Sequence, residues 1–416
     1  MRRSTLLLAV AVAVLAGGVA LAADNSGRIY GKIYTVDGDE FEGLIRWDKN
    51  EGAWVDLLNG TKELSKRNLR QGKRELRKKY GEKKSSLKIF GIEVGGDNTY
   101  VSWGNSAESG VRFGHMKSLE VIDDDRILVT LKSGEEFELS NGSTDIGSSI
   151  REIVIEDDAE GEIEFSWDDL ERIEFSAAKT DKQSNFGDRL YGKVSTRRGG
   201  DFEGFVAWDV DEIFTTDILD GDENRRSRKI RFGRIKAIER YSSSGAQVTL
   251  DDGTDMVLRG SNDVDSGNRG IIVSDPGFGQ VTVPWDDFER VEFMPVPKRI
   301  DYKSFDGGRR LKGTVSTEDG EEYTGEIRWD NDEEYTWEKL DGENRNIEFD
   351  IEFGLIRSIE KRSYRAATVT VLDGREFQLR GSNDVDEDNK GIVIMMPDGD
   401  EVFVDWEDFA RVVFTE

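Results

Sequence analysis

Apolar and polar positions alternate through most of the chain in short runs that end on Gly, Asp or Asn. The pattern is clearest between 190 and 240. Leu190 to Thr196 alternates, Gly199-Gly200 turns the chain, and Phe202 to Trp208 alternates again. Ile213 to Leu219 then runs to a turn at Asp220-Gly221, and Lys229 to Phe232 leads onward. A period of two puts every second side chain on one buried face, so these runs predict strands. The period then changes. Phe232, Ile235 and Ile238 are spaced by three, which predicts a single 3₁₀ turn between two strands. The same aromatic-x-x-apolar-x-x-apolar phrase starts at Phe113, Trp167, Trp285, Phe353 and Trp406, so six blocks of roughly 50 residues are closed this way, each the size of a repeat unit.

A longer period contains the shorter one. Leu190, Trp208, Asp252-Gly253 and Trp285 return 121 positions later as Leu311, Trp329, Asp373-Gly374 and Trp406. Arg259-Gly-Ser-Asn-Asp-Val-Asp265 returns unchanged as Arg380-Gly-Ser-Asn-Asp-Val-Asp386. A constant offset is the mark of tandem duplication. In the diverged first copy Trp47 precedes Trp208 by 161, but Val129 precedes Val248 by only 119, which places an insertion of 42 residues between Gly60 and Val111. The expected organisation is a repeat at 28–175, a second at 189–293 and a third at 309–415. The front halves are 28–122 (with the insertion at 61–104), 189–240 and 309–362. The back halves are 125–175, 245–293 and 366–415.

Within each front half the order is strand, strand, strand, strand, 3₁₀ turn, strand. The run Gly192-x-Val-x-Thr…Phe202-x-Gly204-x-Val-x-Trp208-Asp209 resembles the first motif of Sm-like barrels, with Asp48, Asp209 and Asp330 where that motif has its aspartate. The resemblance implies an SH3-like or Sm-like small barrel for each half. No Asn stands among Glu212, Ile213 and Phe214, where the Sm-like RNA contact would fall, so RNA binding is not carried over. The expected fold is therefore all-β: three tandem repeats, each a pair of SH3-like/Sm-like small barrels (six half-repeats), plus one inserted basic helix. A six-bladed β-propeller is the alternative.

Composition narrows the setting. Arg2-Arg3, the apolar run Leu6–Leu15 and Ala20-Leu21-Ala22 form a secretory leader over 1–22, cleaved near Ala22. No later stretch is long and apolar enough for a transmembrane helix. There is no Cys, so the exported chain is held by its cores alone. A periplasmic or secreted bacterial protein is expected. The net charge of −28, which becomes −30 without Arg2 and Arg3, repels phosphate backbones and argues against nucleic acid.

Three features carry candidate chemistry. The loops Asn262-Asp263-Val-Asp265-Ser-Gly-Asn268 and Asn383-Asp384-Val-Asp386-Glu-Asp-Asn389 cluster hard oxygen donors of the kind that hold calcium. They lack the Gly and Glu spacing of an EF-hand, and the favoured reading is Asx-turns that satisfy loop backbone. The first copy reads as degraded, Ser143-Thr144-Asp145-Ile-Gly147. The pairs Trp167-Asp168-Asp169, Trp285-Asp286-Asp287 and Trp406-Glu407-Asp408 raise a carboxylate glycan hydrolase as the catalytic alternative. Their Trp falls at a core position and the acid after it at a turn cap, so the structural reading is preferred.

The third feature is the insertion. Lys62–Lys84 holds eleven Lys/Arg against three Glu, and Leu69, Leu76 and Tyr80 share one side of a helical wheel. Lys66, Arg67, Arg70, Lys73, Arg74, Arg77 and Lys78 are the candidate contacts, either with the protein's own acidic body or with an anionic surface, envelope protein or polysaccharide. His115 is the only histidine, so Ser-His and Cys-His dyads have no basis. The sequence thus points to an exported, non-catalytic binding or scaffold protein without a cofactor, or alternatively to a calcium-dependent surface module.

Overall fold

The computed structural model describes residues 23–80, 106–297 and 299–415. The leader at 1–22 and the hairpin expected over Leu87–Val94 and Thr99–Trp103 lie outside the described residues. The chain is nearly all β, in antiparallel sheets, and its one helix among the described residues is Lys66–Tyr80.

The middle segment shows the plan. Its strands lie side by side in the order Asp255–Leu258, Gly245–Leu250, Ile235–Ser242, Phe288–Phe293, Tyr191–Thr196, Asp201–Ala207, Ile271–Asp275 and Gly279–Val283. Front and back halves therefore interleave. Phe288–Phe293, from the back half, pairs on both sides with front-half strands, and Asp201–Ala207 pairs with back-half Ile271–Asp275. Val194, Trp208, Val248, Val273, Trp285 and Val291 all enter one core. The all-β expectation holds, while the strands of the two halves are shared in one sheet instead of being divided half by half, and among the described residues none of the sheets is closed. Periodicity could not reveal this, because it reports which face of a strand is buried and not which strand lies beside it.

The third segment follows the same order, with Tyr191–Thr196 matched by Lys312–Thr317 and Phe288–Phe293 by Phe409–Phe414, each 121 positions on. The predicted 3₁₀ turns are present at Phe113–His115, Trp167–Asp169, Phe232–Arg234 and Phe353–Leu355, while Trp285 and Trp406 open ordinary turns. One expected turn moves. Asp220-Gly221 lies inside the strand Ile218–Glu223, and the chain reverses at Asn224-Arg225, both left-handed with φ of 51° and 66°. Gly221 serves close packing instead, since a Cβ there would stand 3.0 Å from Leu258 Cβ.

The segments are joined in three different ways. The second and third share a sheet, where Gly279–Val283 pairs with Ile347–Glu352 and Phe278 packs against Phe349 at 6.4 Å. The first and second meet through ion pairs, Arg189 with Asp56 at 3.0 Å and Arg46 with Asp217 at 2.8 Å, while Arg28 lies 4.3 Å over Phe214. The third closes on the first by stacking Trp337 on Phe137, 4.4 Å apart and 11° from parallel. The linker preceding the third segment also crosses the first, where Gly307 donates its N–H to His115 Nδ1.

Candidate functional site

Each segment places a Trp-Asp pair at the end of its second strand. Trp47, Trp208 and Trp329 are fully buried, and so are Asp48, Asp209 and Asp330. The chain bends sharply here. The three Asp have φ of 41°, 49° and 42°, and Lys49, Val210 and Asn331 follow at 71°, 62° and 64°. A β-branched residue such as Val210 in this left-handed region is strained, so something must hold it. The aspartate supplies the hold. Asp209 accepts the backbone N–H of Arg269 at 2.6 Å and its guanidinium at 2.9 Å, together with the amide of Asn262. Asp330 does the same with Lys390 and Asn383. Asp48 accepts from Arg151 N at 2.6 Å and from Thr144 Oγ1 at 2.6 Å.

The loop read as a calcium candidate is the other half of this clasp. Asp263 gives its backbone carbonyl to Trp208 Nε1 at 2.8 Å, and its carboxylate accepts Asp220 N at 2.6 Å. Asp384 repeats both contacts with Trp329 and Asp341. Asp265 accepts Gly267 N, while Asn268 and Asn389 accept Gly270 N and Gly391 N, and Asp386 accepts Asp388 N, all inside Asx-type turns. Among the described residues, the acids of these loops belong to no group of three converging carboxylates. The first copy keeps the clasp that its sequence seemed to have lost. Thr144 takes the place of Asn262, and Asp145 takes that of Asp263, accepting Asn59 N at 2.7 Å. Burial pushes Asp263 up to about 6 and Asp145 up to about 7.

The acids that do converge lie beside the clasp. Carboxylate oxygens of Asp209, Asp211 and Glu212 fall within 4.8 Å of one another, and so do those of Asp330, Asp332 and Glu333. Oxygens so spaced suit a cation held at roughly 2.4 Å from each. In the third segment Glu333 is 8 % exposed, and both its Oε2 and the Oδ1 of Asp332 lack a hydrogen-bond partner. Burial and then the neighbouring acids push Glu333 far above the usual carboxylate range, and Glu212 up to about 10. Lys390 reaches into the third cluster and Arg269 into the second. Glu51 holds the equivalent place in the first segment, with Asn50 where the others have Asp. The signal was present in the sequence as Trp-Asp-x-Asn/Asp-Glu in all three copies, but spacing alone does not show which acids are buried.

The Trp-acid pairs at 167, 285 and 406 are core elements. Their Trp are 3 %, 3 % and 2 % exposed and donate Nε1 to the carbonyls of Asp123, Ser242 and Tyr364. The basic helix lies on the protein's own acidic surface. Asn68 bonds Glu334, Gln71 bonds Arg328 and Glu401, and Arg67 approaches Glu401 at 3.6 Å. Lys66, Arg70 and Arg74 are exposed, and the side chains of Lys73, Arg77 and Lys78 lie outside those described, as do those of Leu69, Leu76 and Tyr80. Between helix, first segment and third segment is a cavity of about 810 Å³, lined in part by Lys62, Phe137, Arg310, Tyr335 and Trp337. Among the described residues no helix is long and apolar enough to cross a membrane.

Compared with protein-family models, curated proteins and solved structures, the chain matches none.

Proposed function

We propose that the chain is an exported, non-catalytic scaffold of the bacterial cell envelope, which presents the turns of its repeated β segments to an envelope protein or polysaccharide. The supporting observation is where its reactive side chains go. His115 sits 4 % exposed between Gly307 N and Glu352, Arg189 and Asp56 bind each other across the first joint, and Lys62 meets Glu338 across another. An active site keeps such groups together in a cleft that a substrate can enter. Here they fasten segment to segment, which fixes the distances between loops. Export rests on the leader at 1–22 and its charge pattern.

The test is photo-crosslinking in cells from exposed Ser266 and, separately, from exposed Arg70. The scaffold reading expects a discrete envelope component to be trapped from at least one of them. Capture from neither, together with cleavage of an envelope polysaccharide by the purified chain, would replace it with the hydrolase alternative.

A second reading, a divalent-cation module, is favoured by one observation: the buried, unpartnered Glu333 Oε2 within the Asp330–Asp332–Glu333 cluster. These residues, with Asp209, Asp211 and Glu212, would hold the ion in place of the loops at 262–268 and 383–389. The expected result is a melting temperature raised by calcium over chelator in the native chain and not in Glu333→Gln. Equal melting curves in calcium and chelator sink it.

A further inference from the structure

The strand pairing that joins the second and third segments has a counterpart between the first and second that is left unmade. In the made joint, Gly279–Val283 takes Ile347–Glu352 in the register Gly279↔Ile351, Gln280↔Asp350, Val281↔Phe349 and Thr282↔Glu348. The strand equivalent to Gly279–Val283 in the first segment is Gly161–Phe165, and it is the outermost strand of its sheet. The strand equivalent to Ile347–Glu352 in the second segment is Arg226–Arg231. It pairs only with Ile218–Glu223 in a two-stranded sheet, and that inner strand is tied to the fold through Asp222 and Arg259. Among the described residues, two matching edges therefore stand unpaired.

Their side chains have diverged in a complementary way. Transferring the made register gives Gly161↔Ile230, Glu162↔Lys229, Ile163↔Arg228 and Glu164↔Ser227. Phe278 and Phe349, which pack together in the made joint, correspond to Glu160 and Arg228. Glu160, Glu162 and Glu164 are exposed on one edge, and Arg226, Arg228, Lys229 and Arg231 are exposed on the other. An aromatic contact has been exchanged for opposite charges. Cross-strand pairs of opposite charge favour antiparallel pairing, whereas each edge repels its own kind. Within one chain the two edges do not pair, and the first and second segments are fastened by Arg189–Asp56 and Arg46–Asp217 instead. The third segment's outer strand, Glu401–Val404, is met by the basic helix through Arg67 and Gln71 on Glu401, so it is not equally open.

The geometry points to self-association by strand addition: the acidic edge Gly161–Phe165 of one copy pairs antiparallel with the basic edge Arg226–Arg231 of a second copy of this chain. Main-chain hydrogen bonds supply the contact and the charges select the register. Each copy carries both edges, so the pairing is reciprocal in a closed dimer and serial in a filament.

Sedimentation of the mature chain across a concentration series tests this at roughly 0.05 M and roughly 1 M salt, on either side of the range where exposed charges become screened. The expected result is concentration-dependent association at low salt that disappears at high salt. Glu162→Lys with Glu164→Lys makes the first edge basic like the second, and Arg226→Glu, Arg228→Glu and Lys229→Glu together make the second edge acidic like the first. Each of these two variants is expected to stay monomeric alone, with an unchanged melting temperature because the sites are exposed, and a mixture of the two is expected to associate again. A native chain that stays monomeric at every concentration in low salt overturns the proposal. Association that survives both sets of reversals, or a mixture that fails to recover it, overturns it as well.

Discussion

Asp209 holds Arg269 twice, accepting its backbone N–H at 2.6 Å and its guanidinium at 2.9 Å from one fully buried carboxylate. The main-chain contact ties the left-handed turn at Asp209-Val210 to the loop opposite, and the charged contact gives the buried carboxylate a guanidinium partner. Replacing Asp209 by Ala leaves a buried N–H without an acceptor and releases the strained turn. The expected cost is about 3 kcal/mol, read as a lower urea midpoint at unchanged slope. A loss below roughly 1 kcal/mol would mean that the clasp contributes little.

The first joint gives a sharper test. Arg189 is 5 % exposed and Asp56 3 %, and Asp56 also accepts Gly52 N and Ala53 N at 2.8 Å. Asp56→Ala strands a buried guanidinium and two backbone donors, so a loss of about 3–5 kcal/mol is expected. The double change Asp56→Leu/Arg189→Leu removes both charges, and it should cost clearly less than Asp56→Ala alone. Equal costs would show that the charges are not coupled across the joint.

The pH dependence follows from the buried acids. Asp145 and Asp330 are pushed up to about 7 and Asp263 to about 6, with burial the leading cause in each. The folded chain then keeps protons that the unfolded chain gives up near pH 4, so stability declines as pH rises from about 4 through 7. Carboxylates held low by their partners, such as Glu352 beside Arg112, act oppositely, and their contribution disappears only as pH falls below the usual carboxylate range. Lys132, pushed down to about 8 by burial, comes into play above this window. Melting temperature is thus expected to peak near pH 5 and to be lower by roughly 3 °C or more at pH 7.5. A profile flat from 5 to 7.5 would contradict these assignments.

Glu333 allows the same argument at a single residue. Its carboxyl is held far above the ordinary range by burial and by Asp332, Asp384 and Asp330. Glu333→Gln keeps the shape and removes the need to bury or protonate an acid. At pH 8 without divalent ions it is expected to stabilise the chain by about 1 kcal/mol, with the gain shrinking toward pH 5. Thermal melts at the two pH values check both the sign and the trend.

Much of this was legible in the sequence. Alternation located the strands around Tyr191–Thr196 and Asp201–Ala207, the spacing of Phe232, Ile235 and Ile238 gave the 3₁₀ turn, and the charge-rich insertion gave the helix Lys66–Tyr80. These are local properties of the chain. What escaped was non-local. Phe288–Phe293 sits between two front-half strands because of pairing across about 50 or 100 residues, which no short window records. The degraded-looking Ser143-Thr144-Asp145 retains its role because Thr144 Oγ1 reaches the carboxylate that an Asn amide reaches elsewhere. Gly221 looked like a turn residue, and Leu258 is the reason it is Gly.

The stacking of Trp337 on Phe137 has a kinetic consequence. A ribosome releases Phe137 long before Trp337, so the first segment must wait with that face bare until the last segment arrives. Closing so distant a contact is slow, since topologies dominated by remote pairings fold over milliseconds to seconds. The waiting interval is when the chain is most exposed to clumping. It is also when the uncovered edge at Gly279–Val283, normally filled by Ile347–Glu352, has no strand beside it. Losing the final third would make that passing hazard permanent, so shortened chains should foul and be degraded rather than persist as smaller working versions.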